Sequence, residues 1–338
     1  MGTQFSSGCP RITRRAAIRR ALGSFEDPPH PCVTRGRTWT RDGIDGVELN
    51  WGETSAWLLT PEAVDTPLPA VLLMHGHDGV KFYGKEKVAD GPDGVAPGIA
   101  ELRELGYGGI APAASLVAEG FAVLIHDVFP WGSRRVPWED LPARARRAGA
   151  HLEGLPRYEA AAREHEHGLA KSAALQGISL AGRILTEDLT ALHVLRDCNE
   201  VDPDRIATAG FSGGGARVAH LLAGSDRLRA GVITASMSTY ADIADGHADD
   251  TSWLMITPGM PAVCDWPEIA GSVAPTPLLV QFAEQDSHFG TAGMRDAEAS
   301  LRRDYGESTT LSTQWFSESH RFTTTMQNAA ANWLRQYV

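Results

Sequence analysis

Cysteine is scarce in this chain, with four residues among 338. Cys9, Cys32, Cys198 and Cys264 lie far apart and form no C-x-x-C pair. This spacing argues against a structural zinc site and against a dense disulfide framework. The simplest interpretation is that these are free, mostly buried thiols in a reducing compartment.

Long apolar runs are also missing, since none approaches the roughly 18 residues that a membrane span needs. Arg14-Arg15 resembles the start of a twin-arginine export signal, but Ala16-Ala17-Ile18 is followed at once by Arg19-Arg20. The apolar stretch that such a signal requires is therefore absent. We expect a short basic helix packed on the domain, a cytoplasmic protein and no membrane partner.

Basic side chains are in deficit, with 31 Lys and Arg against 42 Asp and Glu, a net charge of −11. Because a phosphate backbone would be repelled by this charge, we expect no nucleic-acid partner. The chain is otherwise ordinary, with 43% hydrophobic and 22% charged residues. These values are typical of a globular protein that can bury a large core.

Five short, mainly apolar runs have the pattern of strands buried on both faces. These runs are residues 70–74, 121–125, 205–209, 230–234 and 278–282. Segments with helical periodicity alternate with them, at residues 112–119, 169–198, 214–223, 294–304 and 322–336. The alternation predicts an α/β fold whose mostly parallel sheet has helices on both faces. Ligands of such sheets bind beyond the carboxyl ends of the strands.

Three further strands complete a predicted sheet of eight. Residues 46–51 and 54–60 are short, partly alternating runs that suit an antiparallel hairpin, and residues 309–316 are rich in β-forming side chains. Residues 1–44 are predicted to be a helix and an extended arm that precede a single domain over residues 45–338.

Three segments of that domain do not follow the alternation of strand and helix. They lie at about residues 80–110, 128–168 and 236–270, and each is longer than an ordinary connection. Insertions of this length usually form lids or shape the substrate site, so we predict a lid-like insertion.

The strongest chemical signal is Gly210-Phe211-Ser212-Gly213-Gly214, a G-x-S-x-G motif between an apolar strand and a helical segment. This context is typical of a nucleophile elbow, a strained turn where the residues two before and two after the serine must lack a Cβ. At the helix N-terminus, the Gly213 amide would point toward a developing oxyanion. From the motif alone, a glycine-rich turn that only links strand to helix, or that binds phosphate, stays open.

The order of later residues favours a catalytic serine. Asp286 follows a buried strand and His320 lies in a loop before the last helix, which is the order of acid and base that follows a nucleophile elbow. Asp286 would hold the imidazole of His320 in the tautomer that accepts the Ser212 proton. Glu284 and His288 are nearby alternatives, while Asp286 could instead cap a helix and His320 could be a surface residue.

The loop His75-Gly76-His77-Asp78-Gly79 comes directly after the strand that ends near Met74. The loop at this place in a hydrolase supplies the second oxyanion donor, which we assign to the backbone N–H of His77. The same side chains could suggest a metal site. Because no further paired ligands appear, we predict no metal and expect the side chains of His75 and Asp78 to make structural hydrogen bonds.

Two groups in the second insertion have open interpretations. His165-Glu166-His167 suggests metal ligands, but residues i and i+2 of a helix do not share a face, so we predict a solvated, charged segment. Trp131, Trp138 and Tyr158 could line an apolar pocket or pack the core of the insertion.

Taken together, the elbow, the acid and the histidine resemble the α/β-hydrolase superfamily over residues 45–338. The loop at residues 75–79 is similar to that of acetyl xylan esterases, cephalosporin C deacetylases and dienelactone-hydrolase-like enzymes. Residues 83–87 (Tyr-Gly-Lys-Glu-Lys), 265–269 and 274–279 also look like the acetyl-xylan-esterase-like branch. Gly213 stands where Gln or Met is common, and a serine stands where true dienelactone hydrolases carry cysteine.

This resemblance implies ester hydrolysis without a cofactor, often on small acyl groups and frequently in oligomers. We therefore predict a serine hydrolase that cleaves a small-molecule carboxylic ester, of acetyl type, through an acyl-enzyme on Ser212. His320 would be the base and Asp286 the orienting acid. A peptidase or amidase on the same scaffold and a non-catalytic ligand-binding homologue remain alternatives. A homo-oligomer is also left open.

Overall fold

The computed structural model describes residues 11–23, 26–64 and 66–338. Cys9 and the rest of residues 1–10, for which the sequence predicts the start of the N-terminal segment, lie outside the described residues. Within them, nine strands form one sheet in the order β1-β2-β3-β5-β4-β6-β7-β8-β9. The strands are β1 (Thr34–Arg41), β2 (Ile44–Trp51), β3 (Thr54–Pro61), β4 (Leu68–Met74), β5 (Ala122–His126), β6 (Val201–Phe211), β7 (Ala230–Thr234), β8 (Leu278–Ala283) and β9 (Leu311–Phe316).

Helices follow the strands along the described chain. The α-helices are α1 (Arg11–Leu22), α2 (Ile99–Gly106), α3 (Pro112–Ala118), α4 (Ala143–Ala148), α5 (Gly154–Leu175), α6 (Leu180–Arg196), α7 (Gly213–Gly224), α8 (Tyr240–Asp242), α9 (Trp266–Gly271), α10 (Thr291–Tyr305) and α11 (Thr324–Leu334). Short 3₁₀ turns lie at Lys85–Lys87, Gly132–Arg134, Trp138–Asp140 and Met260–Ala262. None of the helices in the described ranges is long and apolar enough to cross a membrane.

Strands β4 to β9 pair in parallel, and β1, β2 and β3 pair antiparallel at one edge. The predicted α/β fold with a mostly parallel sheet is thereby confirmed, as is the antiparallel hairpin of β2 and β3. The predicted number of eight strands is wrong. Residues 34–41, expected to be an extended arm, form the edge strand β1. The side chains of this edge strand are mostly exposed. Its sequence, Thr-Arg-Gly-Arg-Thr-Trp-Thr-Arg, therefore has no need of the apolar pattern by which strands are predicted.

The prediction of a single helix over residues 169–198 is also wrong, because two helices occupy this region. Helix α5 begins in the second insertion and ends at Leu175, and Gly177 then adopts a φ of 76°, a conformation that favours glycine. Ser179 begins α6 by accepting a hydrogen bond from the amide of Gly182 at 2.9 Å. The other four predicted helices correspond to α3, α7, α10 and α11.

Apolar side chains cover both faces of the sheet. In β4, Leu72 belongs to a core that includes α6 and α7, whereas Val71 and Leu73 belong to a second core that includes α3 and α11. Since successive strand residues point to opposite faces, a continuous apolar run is what a doubly covered strand requires. Helix α1 adds Ile18 and Leu22, both fully buried, to the first of these cores.

The carboxyl ends of the parallel strands bring the predicted functional segments to one edge. Strands β4 and β6 are neighbours, with Met74 opposite Gly210, and β7 and β8 follow in order. The segments after β4, β6, β8 and β9 therefore meet at this edge, where ligands of open α/β sheets bind.

Candidate active site

Ser212 occupies the turn between β6 and α7 with a φ of 55° and a ψ of −123°, a strained conformation for a residue with a side chain. A methyl group on Gly210 would lie 2.4 Å from the carbonyl carbon and oxygen of Gly214. One on Gly214 would lie 2.4 Å from the carbonyl oxygen of Met74. Because these neighbours are backbone atoms, both positions require glycine, as the motif predicts. Phe211 packs its ring against the His320 ring, with the centroids 4.9 Å apart.

The structure brings together the three side chains that the chain order suggested. Nε2 of His320 lies 2.7 Å from Oγ of Ser212, and Nδ1 of His320 lies 2.6 Å from Oδ2 of Asp286. The carboxylate of Asp286 is fully buried and the imidazole is 18% exposed. The arrangement places one imidazole between a hydroxyl and a carboxylate. It has the geometry for moving a proton from the serine while the imidazolium is stabilised.

The two nearby alternatives occupy different positions. The side chain of Glu284 is 40% exposed and pairs with Arg295 at 3.4 Å. The backbone N–H of His288 donates to Oδ1 of Asp286 at 2.8 Å. The His288 ring packs edge-to-face against the ring of His320. Burial lowers the pKa of His288, and the adjacent His320 lowers it further. His288 therefore packs as a neutral ring beside the imidazole of His320.

The backbone amides of His77 and Gly213 lie beside each other next to Ser212. A methyl group on Gly213 would be 2.9 Å from the nitrogen of His77. Among the described residues, neither N–H donates to a backbone carbonyl. Gly213 is also the first residue of a helix of 12 residues, whose N-terminus favours negative charge. Two available donors, one of them at a helix N-terminus, can bind an anionic oxygen.

The side chains of His75 and Asp78 make structural hydrogen bonds, as expected. Nδ1 of His75 lies 3.1 Å from the carbonyl oxygen of Gly76, and Asp78 accepts a bond of 2.8 Å from the hydroxyl of Tyr107. In the part of the chain that the structure describes, there is no cluster of three His, Cys, Asp or Glu side chains suited to a metal ion.

Glu166 was predicted to be solvated, and this is wrong. Its carboxylate is buried against the imidazole of His77, with Oε2 and Nε2 3.0 Å apart, and against the ammonium of Lys81 at 3.1 Å. Nδ1 of His77 accepts from the Gly79 amide at 3.1 Å, so the neutral ring carries its proton on Nε2 and donates to Glu166. Helix α5 of the second insertion is thereby attached to the loop after β4.

The pKa values of this cluster follow from its burial and its charges. Burial lowers the pKa of His77, and Lys81 lowers it further, so the ring is neutral. Burial alone would raise the pKa of Glu166, but Lys81 and His77 outweigh this and lower it from 4.5 to about 2. The cluster is thus a neutral histidine beside a buried ion pair. Sequence reasoning missed Lys81, whose one signal is its position seven residues after the end of β4.

The aromatic residues of the second insertion pack mainly into cores. Trp131 is 1% exposed, and the ammonium of Lys81 lies 4.1 Å from the centroid of its ring. Tyr158 packs with Leu141 in a small separate core. Trp138 is partly buried, and the guanidinium carbon of Arg157 lies 4.3 Å from the centroid of its ring. Core packing is therefore the better interpretation for Trp131 and Tyr158.

Comparison with known proteins gives remote relatives. No family model matches the chain. It is 25% identical over 303 residues, 87% of this chain and 88% of the other, to YtaP of Bacillus subtilis (strain 168), whose name marks it provisionally as a hydrolase.

Solved structures show the same architecture. An acetyl xylan esterase from Bacteroides fragilis NCTC 9343, provisionally so named, has a TM-score of 0.69 at 17% identity, over 90% of this chain and 74% of the other. A glucuronoyl esterase from Solibacter usitatus has a TM-score of 0.65 at 14% identity, over 96% and 91%. An acetyl xylan esterase from Paenibacillus sp. R4 has a TM-score of 0.58 at 13% identity, over 99% and 97%. The chain has the α/β-hydrolase fold.

Proposed function

We propose that the protein hydrolyses small carboxylic esters through an acyl-enzyme on Ser212. The observation that carries the proposal is the continuous chain of hydrogen bonds from the Ser212 hydroxyl through His320 to Asp286, with bonds of 2.7 and 2.6 Å. The strained turn at Ser212 and the adjacent pair of amides support the same chemistry. The esterases among the proteins of similar fold are consistent with it.

In the first half of the reaction, Nε2 of His320 takes the proton of Ser212 as Oγ bonds to the ester carbonyl carbon. Nδ1–H of the ring donates to Asp286, which stabilises the imidazolium. The carbonyl oxygen becomes an anion between the N–H groups of His77 and Gly213. The C–O bond to the alcohol then breaks, and Nε2–H protonates the departing alcohol oxygen.

In the second half, a water molecule takes the place of the alcohol. His320 removes a proton from this water as its oxygen bonds to the acyl carbon, and the same two amides bind the second oxyanion. The bond from the acyl carbon to Ser212 Oγ then breaks, and His320 returns a proton to Oγ. The reaction as proposed uses protein groups and water alone.

A short acyl group is favoured by crowding beside the amides. Leu254, from the third insertion, is 1% exposed, and its Cδ1 would lie 2.8 Å from a methyl group on Gly213. We expect kcat/KM to fall from p-nitrophenyl acetate to the butyrate and octanoate esters. Leu254→Ala should reduce this decline, and an unchanged preference would contradict the assigned role of Leu254.

The proposed nucleophile is tested with Ser212→Ala, assayed on p-nitrophenyl acetate and with a fluorophosphonate probe. We expect a loss of about 10⁴-fold or more in kcat, because removal of the nucleophile leaves only oxyanion binding. Labelling should be lost as well. Ser225→Ala, at the far end of the same helix, is the matched control and should keep both. A folded Ser212→Ala protein with wild-type activity would refute the proposal. Faster turnover of an aminoacyl p-nitroanilide would indicate an amidase.

A further inference from the structure

The ammonium of Lys87 is completely buried beneath the loop after β4. Its Nζ donates to three backbone carbonyl oxygens of that loop, those of Gly76 at 2.6 Å, His77 at 3.2 Å and Val80 at 3.2 Å. It also lies 3.1 Å from Oδ2 of Asp78. A single cation therefore fixes the backbone of the whole loop from its inner side.

The shortest of these bonds is made to the peptide unit that matters for the proposed reaction. The carbonyl of Gly76 and the N–H of His77 belong to the same peptide group. A cation on the carbonyl oxygen withdraws electron density from the amide, and hydrogen bonds that run through one group strengthen each other. The N–H of His77 is thereby made a stronger donor, and its direction is set by an anchor at the carbonyl oxygen, on the opposite side of the same C–N bond.

Burial of a charged group is unfavourable unless the charge is compensated. Burial lowers the pKa of Lys87, while the carboxylate of Asp78 acts in the opposite direction. The hydroxyl of Tyr107 donates to the other oxygen of Asp78 at 2.8 Å, so this carboxylate is itself held in place. Lys87 and Asp78 form a buried ion pair within the loop that Lys87 supports.

We propose that Lys87 is a positioning residue, which orients and polarises the Gly76–His77 peptide so that the His77 N–H binds the oxyanion. The inference rests on the proposed function, since it gives this amide its role. Lys87 acts through the peptide and does not touch the substrate. Its contribution belongs to the transition state, where the negative charge on oxygen develops.

A buried lysine two residues earlier offers a matched control. The Lys85 side chain is 6% exposed and pairs with Oδ2 of Asp127 at 2.7 Å. Among the described residues, the backbone N–H and the ammonium of Lys85 donate to Asp127 and Glu86, and neither donates to the loop after β4. Removal of Lys85 tests the cost of losing a buried ion pair. Removal of Lys87 also tests the effect of losing the support of the loop after β4.

The experiment compares Lys87→Met, Lys87→Met/Asp78→Asn and Lys85→Met/Asp127→Asn with wild type. Loss of Lys87 should lower kcat on p-nitrophenyl acetate by about 10- to 100-fold, below the effect of removing a whole oxyanion donor. KM should change little. Affinity for a trifluoromethyl ketone, which forms a tetrahedral adduct on serine, should fall by the same factor as kcat. Lys87→Gln keeps a neutral donor and serves if methionine prevents folding.

A second measurement does not depend on activity. In protein labelled with ¹⁵N-histidine, the His77 amide proton, assigned with a His77→Gln variant, should move upfield when Lys87 is replaced. It should stay in place in the Lys85 variant. The proposal is overturned if this amide is unaffected, or if kcat falls without the matching loss of ketone affinity. A wild-type protein without Ser212-dependent esterase activity would refute the proposed function and with it the oxyanion role of the His77 amide, and the amide shift would then test only whether Lys87 polarises the Gly76–His77 peptide.

Discussion

The turn at Ser212 is held by backbone atoms in contact, whereas the loop opposite it is held by buried charges. Gly210 and Gly214 leave no room for a Cβ against neighbouring carbonyl groups. Across the site, the loop of residues 75–80 is supported by the ammonium of Lys87 and, through the His77 ring, by the ion pair of Lys81 and Glu166. The two proposed oxyanion donors, the amides of Gly213 and His77, come one from each of these segments.

This difference determines which changes should disrupt the turn at Ser212 and which should disrupt the loop opposite it. A backbone contact has no pH dependence and is broken by a single added methyl group. A buried ion pair depends on pH and is lost when one partner loses its charge. Substitutions that change shape and substitutions that change charge should therefore affect the turn at Ser212 and the loop after β4 differently.

The largest effect is expected for Gly214→Ala. The new methyl group would lie 2.4 Å from the carbonyl oxygen of Met74, so β4 and α7 would have to separate. We expect a loss of about 3 kcal/mol or more in the free energy of unfolding, measured by urea denaturation. Gly106→Ala is the control, because a methyl group there meets nothing within 4 Å. Equal stabilities for the two variants would show that the close contact at Gly214 is relieved at no cost.

An intermediate effect that depends on pH is expected for Glu166→Gln. The folded-state pKa of Glu166 is about 2, below its ordinary value of 4.5. The carboxylate therefore stabilises the protein above pH 4.5, and this stability is lost as the pH falls toward 2. Wild type should exceed the variant by up to about 3 kcal/mol in free energy of unfolding at pH 7. The difference should shrink below pH 4.5.

Glu164→Gln, on the same helix, provides the control for this pH series. Glu164 pairs with Arg144, whose side chain is 80% exposed, and exposed pairs contribute little. Its removal should change stability by less than about 0.5 kcal/mol. A Glu166 variant that behaved in the same way at every pH would show that the carboxylate is not held as a buried anion.

The smallest effect is expected for Gly79→Ala, in the loop that the charges support. Gly79 has a φ of 66°, but the nearest atom to an added methyl group is a guanidinium nitrogen of Arg163 at 3.6 Å. We expect only the cost of the left-handed backbone, about 1 kcal/mol, as a modest fall in melting temperature. A loss as large as that of Gly214→Ala would mean that this loop, too, is constrained by backbone contact.

The serine turn could be predicted from sequence because its requirements are local. The need for glycine falls two residues on either side of Ser212, and the sheet edge then places Asp286 and His320 by chain order. The fold class was predictable for a related reason, since each strand buried on both faces is visible in the sequence as an apolar run. Strand β1 has no such apolar run and was not predicted as a strand.

The supports of the opposite loop were not predictable. Lys81 and Glu166 are 85 positions apart, and nothing in a charged segment such as His165-Glu166-His167 shows that its middle carboxylate is buried. Lys87 belongs to the short motif of residues 83–87, but the carbonyl oxygens that it binds have no sequence signature. Charged residues are mostly exposed, so a pattern of side chains predicts solvent for them.

Helix α1, at the beginning of the described chain, is joined to helix α10 by an ion pair. Arg14 binds the carboxylate of Asp304 in α10 through bonds of 2.9 and 2.8 Å, and Ile18 and Leu22 are fully buried. A shortened chain that started after residue 23 would lose the ion pair between Arg14 and Asp304 and would expose the apolar surface of α6 and α7 that α1 covers. Anyone trimming this protein for crystallisation or immobilisation should therefore attach tags ahead of α1 and leave the helix itself intact.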